Sequence, residues 1–235
     1  MFELSLFVYI ASGLFLVSMN GIRQFLAAAV IFAATKYIFD GSWIKFSLVV
    51  LLASSFHQSA LILIPIYFLI RREAWTKTTF GILGLAVIIV IGYNQFTEIL
   101  FSAIEDTNYG RYATVNEGGA NVMRIAVFGA PLFLAYLGRE RLRELFPKCD
   151  YIVNLCLLNL VFMIIASQNW IFARFNIYFG LYQLILIAWL VKLFKERDQK
   201  FVYFAIVTCY IFYFYQEHVL SLNILYRSDY IPFFN

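Results

Sequence analysis

The sequence predicts an all-α integral membrane protein, a polytopic bundle of about eight transmembrane helices. Three observations predict it. Of its 235 residues, 63% are hydrophobic and only 14% are charged, whereas a soluble domain carries about 25% charged residues. The apolar residues gather in runs of about 16 to 25, which suits tilted helices rising 1.5 Å per residue through a bilayer. The runs are solidly apolar without strict alternation, which argues against an outer-membrane barrel. In lipid the backbone must satisfy its own hydrogen bonds, so helices follow.

The runs are 2–19, 22–39, 46–70, 80–100, 122–137, 151–166, 175–191 and 201–215. The first ends at Asn20-Gly21, a strong breaker pair. The second is alanine-rich and contains Thr35 and Lys36; it is the weakest span, expected to cross incompletely or at an angle. The third, 46–70, is long enough to cross, yet it encloses "SSFHQSA" with one of the chain's two histidines. The fourth is followed by the longest polar stretch, 102–121, with Gly110, Gly118 and Gly119 and both charge signs. Long loops of this kind are usually functional or disordered. The last four runs are separated by short charged or aromatic connections. There is no internal repeat, heptad pattern or soluble appendage, so the whole of 1–235 reads as one transmembrane domain.

Lysine and arginine set the orientation. The loops 71–78, 138–150 and 192–200, with Arg23 added by counting helices, hold twelve of the 18 basic residues; the other side holds six, Lys36, Lys45, Arg111, Arg124, Arg174 and Arg227. The first side is therefore expected to be cytoplasmic. The segments around 40–45, 101–121, 167–174 and 216–235 are expected outside, and so is the N-terminus. No basic n-region precedes the first run, so no cleavable signal peptide is expected. Cys149, Cys156 and Cys209 show no metal or C-x-x-C spacing and read as buried or interfacial thiols. Nothing in the charge pattern points to a nucleic-acid partner.

Ionisable groups inside spans are costly and mark functional sites. His57 is expected about 17 Å deep by helix rise, with Ser54, Ser55, Gln58 and Ser59 around it. It reads either as a neutral histidine satisfied by a neighbouring helix or as a general base. Arg23 and Gln24 open a helix after the Asn-Gly break, where donors and the positive helix end suit an anion, phosphate especially; the competing reading is a flanking arginine obeying the positive-inside rule. Arg174, Asn176 and Tyr178 sit at an external mouth among Trp170, Phe172 and Phe175, which alone read as an interfacial belt. External arginines are disfavoured by topology, so Arg174, Arg124 and Arg111 together suggest a diphosphate-binding cluster. The external acids Asp40, Glu98, Glu105, Asp106, Glu117, Glu217 and Asp229 read mostly as solvated loop charges, and His218 as a loop histidine. No phosphate-binding P-loop, D-x-D or H-x-x-x-D pattern appears, so ATP hydrolysis and metal-dependent transfer from nucleotide sugars lack support.

In this order and setting, "SMNGIRQFLAAA", "FHQSALILIPIYFLI" and "ARFNIYFGLYQLILI" resemble the EpsG family, Wzy-like polymerases of bacterial exopolysaccharide and capsule. The matching segments cover most of 18–190. The pairing of R-Q-x-x-A with F-H-x-S-A-L about thirty residues later is the most specific part. The resemblance implies a GT-C-like or Wzy-like helical bundle in the cytoplasmic membrane. It implies joining of undecaprenyl-diphosphate-linked oligosaccharide repeat units at the outer face, with no cofactor, metal or nucleotide. A flippase and a chain-length regulator of the same pathway are the implied neighbours. It also implies helices before "NGIRQ", so the chain reads as the C-terminal part of a longer polymerase. The positions carried over are His57, Arg174 and Arg23 as catalytic groups and Gln24, Ser59 and Tyr178 as substrate-binding groups, joined by Arg111 and Arg124 from the charge argument. Arg23 is awkward, because helix counting puts it on the cytoplasmic side. A lipid-linked glycan flippase or other transporter, a membrane O-acyltransferase acting on polysaccharide, and a structural membrane subunit are the alternatives.

Overall fold

The apolar run at 46–70 does not form one helix; it breaks at its serines. In the computed structural model, which describes residues 1–104 and 118–224, α5 (Trp43–Ser54) stops there. The Ser54 and Ser55 hydroxyls donate to their own backbone, to the carbonyls of Leu51 and Leu52, both at 2.7 Å. Such bonds compete with helix continuation. His57 is extended (φ −154°, ψ 117°), a 3₁₀ turn follows over Gln58–Ile62, and α6 (Leu63–Ile70) runs back along α5. Ring pairs fix the antiparallel register: Trp43 meets Phe68 at 6.2 Å and Phe46 meets Tyr67 at 5.3 Å. The two ends of the hairpin come together, with the Arg71 guanidinium lying where a Cβ on Gly41 would point.

The remaining helices arrange themselves around this hairpin. At the start of the chain come α1 (Phe2–Ala11) and α2 (Leu14–Asn20), bent by 58° at Gly13. They are followed by α3 (Ile22–Ala33) and α4 (Thr35–Phe39). Beyond the hairpin lie α7 (Lys77–Ile91) and α8 (Tyr93–Ile104), with a 95° bend between them, then α9 (Val122–Leu137) and α10 (Arg139–Leu145), bent by 83°. A second hairpin joins α11 (Cys149–Ala166) to α12 (Asn176–Val191) through extended Asn169 and a 3₁₀ turn at Trp170–Phe175. Phe162 stacks on Phe175 at 4.3 Å and on Phe179 at 5.6 Å within it. Last, α13 (Glu196–Phe214) ends in a π-helical turn, Tyr215–Ser221.

Among the described residues every regular element is helical, as expected of a helical membrane protein. Among the described residues the expected count of about eight single helical spans is not shown. Two helical stretches are long and apolar enough to cross a membrane, Cys149–Ala166 and Trp170–Val191, and the three bent pairs raise the number to at most five. The run 46–70 is a turned hairpin. The weak run 22–39 is broken at Ala34 into α3 and α4, in keeping with its alanine-rich, polar-interrupted sequence.

The hairpin also corrects the sidedness. One end of the molecule gathers Phe39–Asp40, Ile70–Ala74 and the α10 region. Lys148 donates to the Phe39 carbonyl at 2.9 Å, Arg143 to Asp150 at 3.1 Å and to the Ala74 carbonyl at 3.3 Å, and Asn154 to the Ile70 and Arg72 carbonyls at 2.9 and 2.7 Å. Segment 40–45, expected on the opposite side from 71–78, lies beside it, which adds Lys36 and Lys45 to the basic end. The N-terminus moves too. α1 runs antiparallel to α12, with Ser5 bonded to the Leu184 carbonyl and Leu14 near Gly180, so Phe2 starts towards the basic end. Counting helices put these segments on the wrong side because it treated 46–70 as one crossing.

The core is built where small residues let helices approach. Ala27, Ala53, Ala60, Ala135 and Ala166 are all fully covered, beside large side chains such as Phe46, Phe179 and Tyr182. Small-residue contacts of this kind suit helix packing in lipid, where apolar burial alone gives no advantage over lipid contact. Cys149 and Cys156 are buried, as expected, and Cys209 is exposed.

Candidate functional site

The end of the molecule opposite the basic loops receives the tips of both hairpins and the start of α3. Each break leaves its extended residue, His57 or Asn169, at this end. Asn169 accepts from the Ile171 backbone N–H at 3.0 Å and so caps its own 3₁₀ turn. Gly21 carries no side chain where α2 passes into α3, and Ile177 packs against it. Gln24, buried on the first turn of α3, donates to the Arg174 carbonyl at 3.3 Å. Beside these contacts lies an open cavity of about 310 Å³.

Arg23, Arg124, Arg174 and His57 all line that cavity, with Gln24 and Asn20 beside them. Arg23, which helix counting had left on the cytoplasmic side, therefore belongs to the same site as Arg174. His57 lies within electrostatic reach of both guanidinium groups. The Arg174 guanidinium stacks over Trp170 at 5.0 Å from the ring centroid, so this tryptophan holds an arginine. No acidic side chain is among the described residues that line the cavity. Three guanidinium groups around one space give bidentate donors suited to phosphate oxygens.

His57 is held from behind. Its Nδ1 lies 2.7 Å from Ser59 Oγ, and Ser59 Oγ lies 2.8 Å from the Tyr178 hydroxyl. Tyr178 is buried in α12. In the tautomer with the proton on Nδ1, that N–H donates to Ser59 and leaves Nε2 as an acceptor. The expectation of a histidine about 17 Å deep on a continuous helix is corrected: His57 stands at a hairpin tip. Ser54 and Ser55, expected on its face, bond their own backbone instead, and only Ser59 reaches the ring.

The sequence model of the EpsG family matches residues 2–232. The chain belongs to the EpsG family. No curated protein and no solved structure matches it. EpsG membership points to a polysaccharide-polymerase role in a membrane. In this EpsG chain the fold brings the quoted motifs to one place: R-Q at the start of α3, F-H-x-S at the first hairpin tip, and Arg174 and Tyr178 across the second.

Arg111 lies outside the described residues, as do Glu105, Asp106, Glu117, Arg227 and Asp229. Of the expected arginine cluster, Arg124 and Arg174 do share the cavity. Two groups differ from the expectation. Glu217 is not a solvated loop charge: it is 1% exposed and accepts from Arg124 Nε at 2.6 Å and from Asn121 at 3.0 Å. His218 is not a loop histidine: it is buried, stacks on Phe214, and fills the space beside Gly13. Adjacent Glu and His directly after the aromatic run 201–215 were the available signal.

Proposed function

We propose that this EpsG-family chain polymerises oligosaccharide repeat units carried on undecaprenyl diphosphate. The observation that carries the reading is the convergence of Arg23, Arg124, Arg174 and His57 on one cavity at the end away from the basic loops. By the positive-inside rule the cavity end then faces outward. His57 Nε2 accepts the proton of an acceptor sugar hydroxyl. The hydroxyl oxygen bonds to the reducing-end sugar carbon of the growing chain. The bond from that carbon to the diphosphate oxygen breaks, and undecaprenyl diphosphate leaves with the electron pair. Arg174, Arg23 and Arg124 stabilise the charge that develops on the leaving diphosphate. Ser59 and Tyr178 orient the imidazole, and Gln24 holds the Arg174 segment. The diphosphate bond supplies the driving force, so neither a nucleotide nor a metal is a co-reactant in this scheme. The site thus belongs to a multi-pass protein of a bacterial cytoplasmic membrane, in exopolysaccharide or capsule synthesis, beside the flippase and chain-length regulator of that pathway.

The test uses the purified chain in proteoliposomes with lipid-linked repeat units of its own host. Each new sugar bond should release one undecaprenyl diphosphate. Release without chain growth, chain growth without release, or transfer of an acetyl group instead would refute the reading.

A further inference from the structure

Glu217 is the most completely buried charged side chain among the described residues, and the chemistry above does not use it. A buried carboxylate is costly unless it is paired and hydrogen-bonded. This one is: Oε1 takes the Arg124 Nε–H at 2.6 Å and Oε2 takes the Asn121 amide at 3.0 Å. Asn121 is fixed in turn, because its Oδ1 caps α9 by accepting from the Met123 N–H at 3.0 Å. The carboxylate thus sits behind the guanidinium. It occupies Nε and leaves the two terminal amino groups of Arg124, a residue that lines the cavity, as the donors remaining. The turn that carries Glu217 is π-helical, an irregularity often found at functional sites. Its other side is anchored by His218, whose ring packs into the space beside Gly13 at φ +83°.

We propose that Glu217 is a positioning residue for the diphosphate site: it orients Arg124 so that its free amino groups meet a phosphate, and the π-turn holds it there. This inference rests on the reading of the cavity as a diphosphate site. A carboxylate behind an arginine fixes a fork that would otherwise be one of many rotamers of a long side chain.

The test measures undecaprenyl diphosphate binding to the full chain in lipid nanodiscs. Arg124→Ala and Glu217→Gln should each weaken Kd by about tenfold, and the double variant should bind no more weakly than Arg124→Ala alone, the pattern of one residue acting through another. A multiplicative loss of about a hundredfold in the double variant would overturn the proposal. So would a Glu217→Gln protein that loses bound stoichiometry and melting temperature while keeping its Kd, because that is a structural role. Asn121→Ser keeps a capping oxygen for α9 but removes the amide on Glu217. It should weaken Kd by a smaller factor, and an unchanged Kd in both it and Glu217→Gln overturns the proposal. If the unaltered chain shows no binding, the diphosphate reading fails and this inference fails with it; binding by the unaltered chain with additive variants sinks the inference alone.

Discussion

Ser59→Ala is the sharpest perturbation of the cavity, because one oxygen makes two contacts. Ser59 Oγ lies 2.7 Å from His57 Nδ1 and 2.8 Å from the Tyr178 hydroxyl. Alanine removes both bonds and nearly nothing else, since Ser59 sits in a 3₁₀ turn whose backbone bonds are independent of its side chain. A hydrogen bond is worth about 1 kcal/mol net, so two amount to about 2 kcal/mol, or a rate loss of about 30-fold if both are felt in the transition state. Tyr178→Phe removes the outer of these two bonds and leaves the inner one, which predicts a loss of about fivefold. His57→Ala removes the base itself and should cost about 10² to 10⁴. The order His57→Ala, Ser59→Ala, Tyr178→Phe is the signature of a chain of contacts leading to the imidazole. The assay is the initial rate of undecaprenyl diphosphate release in proteoliposomes, normalised to correctly inserted protein. An unchanged rate in Ser59→Ala, or a greater loss in Tyr178→Phe than in Ser59→Ala, would refute the relay.

Three further outcomes follow from the same geometry. Arg174→Gln should weaken undecaprenyl diphosphate binding by about 10- to 100-fold, the range for losing a hydrogen bond to a charged group, and equal binding would remove Arg174 from the site. Gly13→Ala must place a methyl group where the His218 ring lies and hold a left-handed φ that costs about 1–2 kcal/mol in itself; its melting temperature in detergent should fall, and an unchanged value would contradict the packing of the π-turn. In a background with the native cysteines replaced, Ser42→Cys and Glu73→Cys should both react with an impermeant maleimide only after the cells are opened, as should Arg141→Cys. Labelling of Ser42→Cys in intact cells while Glu73→Cys stays protected would restore a single span over 46–70 and refute the hairpin.

The helical membrane class was legible because composition and run length depend on solvent, not on tertiary detail. The candidate residues were legible for a related reason: a polar side chain inside an apolar run needs a partner, and Gln24, His57, Ser59, Arg174 and Tyr178 find theirs at the end where Arg23 also lines the cavity. The hairpin was not legible. A run such as 46–70 has the same hydropathy whether it crosses once or turns back, and the break falls where two serine hydroxyls bond their own backbone. That one misreading displaced Arg23, segment 40–45 and the N-terminus together, since counting back from the basic loops passes an error to every element that precedes it. Glu217 was misread because a charge beside a loop normally faces water. Only the approach of α9, with Arg124 and Asn121, shows that this one does not.

The polymerisation of lipid-linked repeat units proposed for this cavity is tested most directly in a cell that lacks its own polymerase but makes the matching repeat unit, supplied with the unaltered chain or with His57→Ala, with the lipid-linked glycans separated on a gel. A ladder from the unaltered chain and a single repeat-unit band from His57→Ala, at equal membrane levels, is the predicted result. A single band from both, with insertion verified, or a normal ladder from His57→Ala, would contradict it.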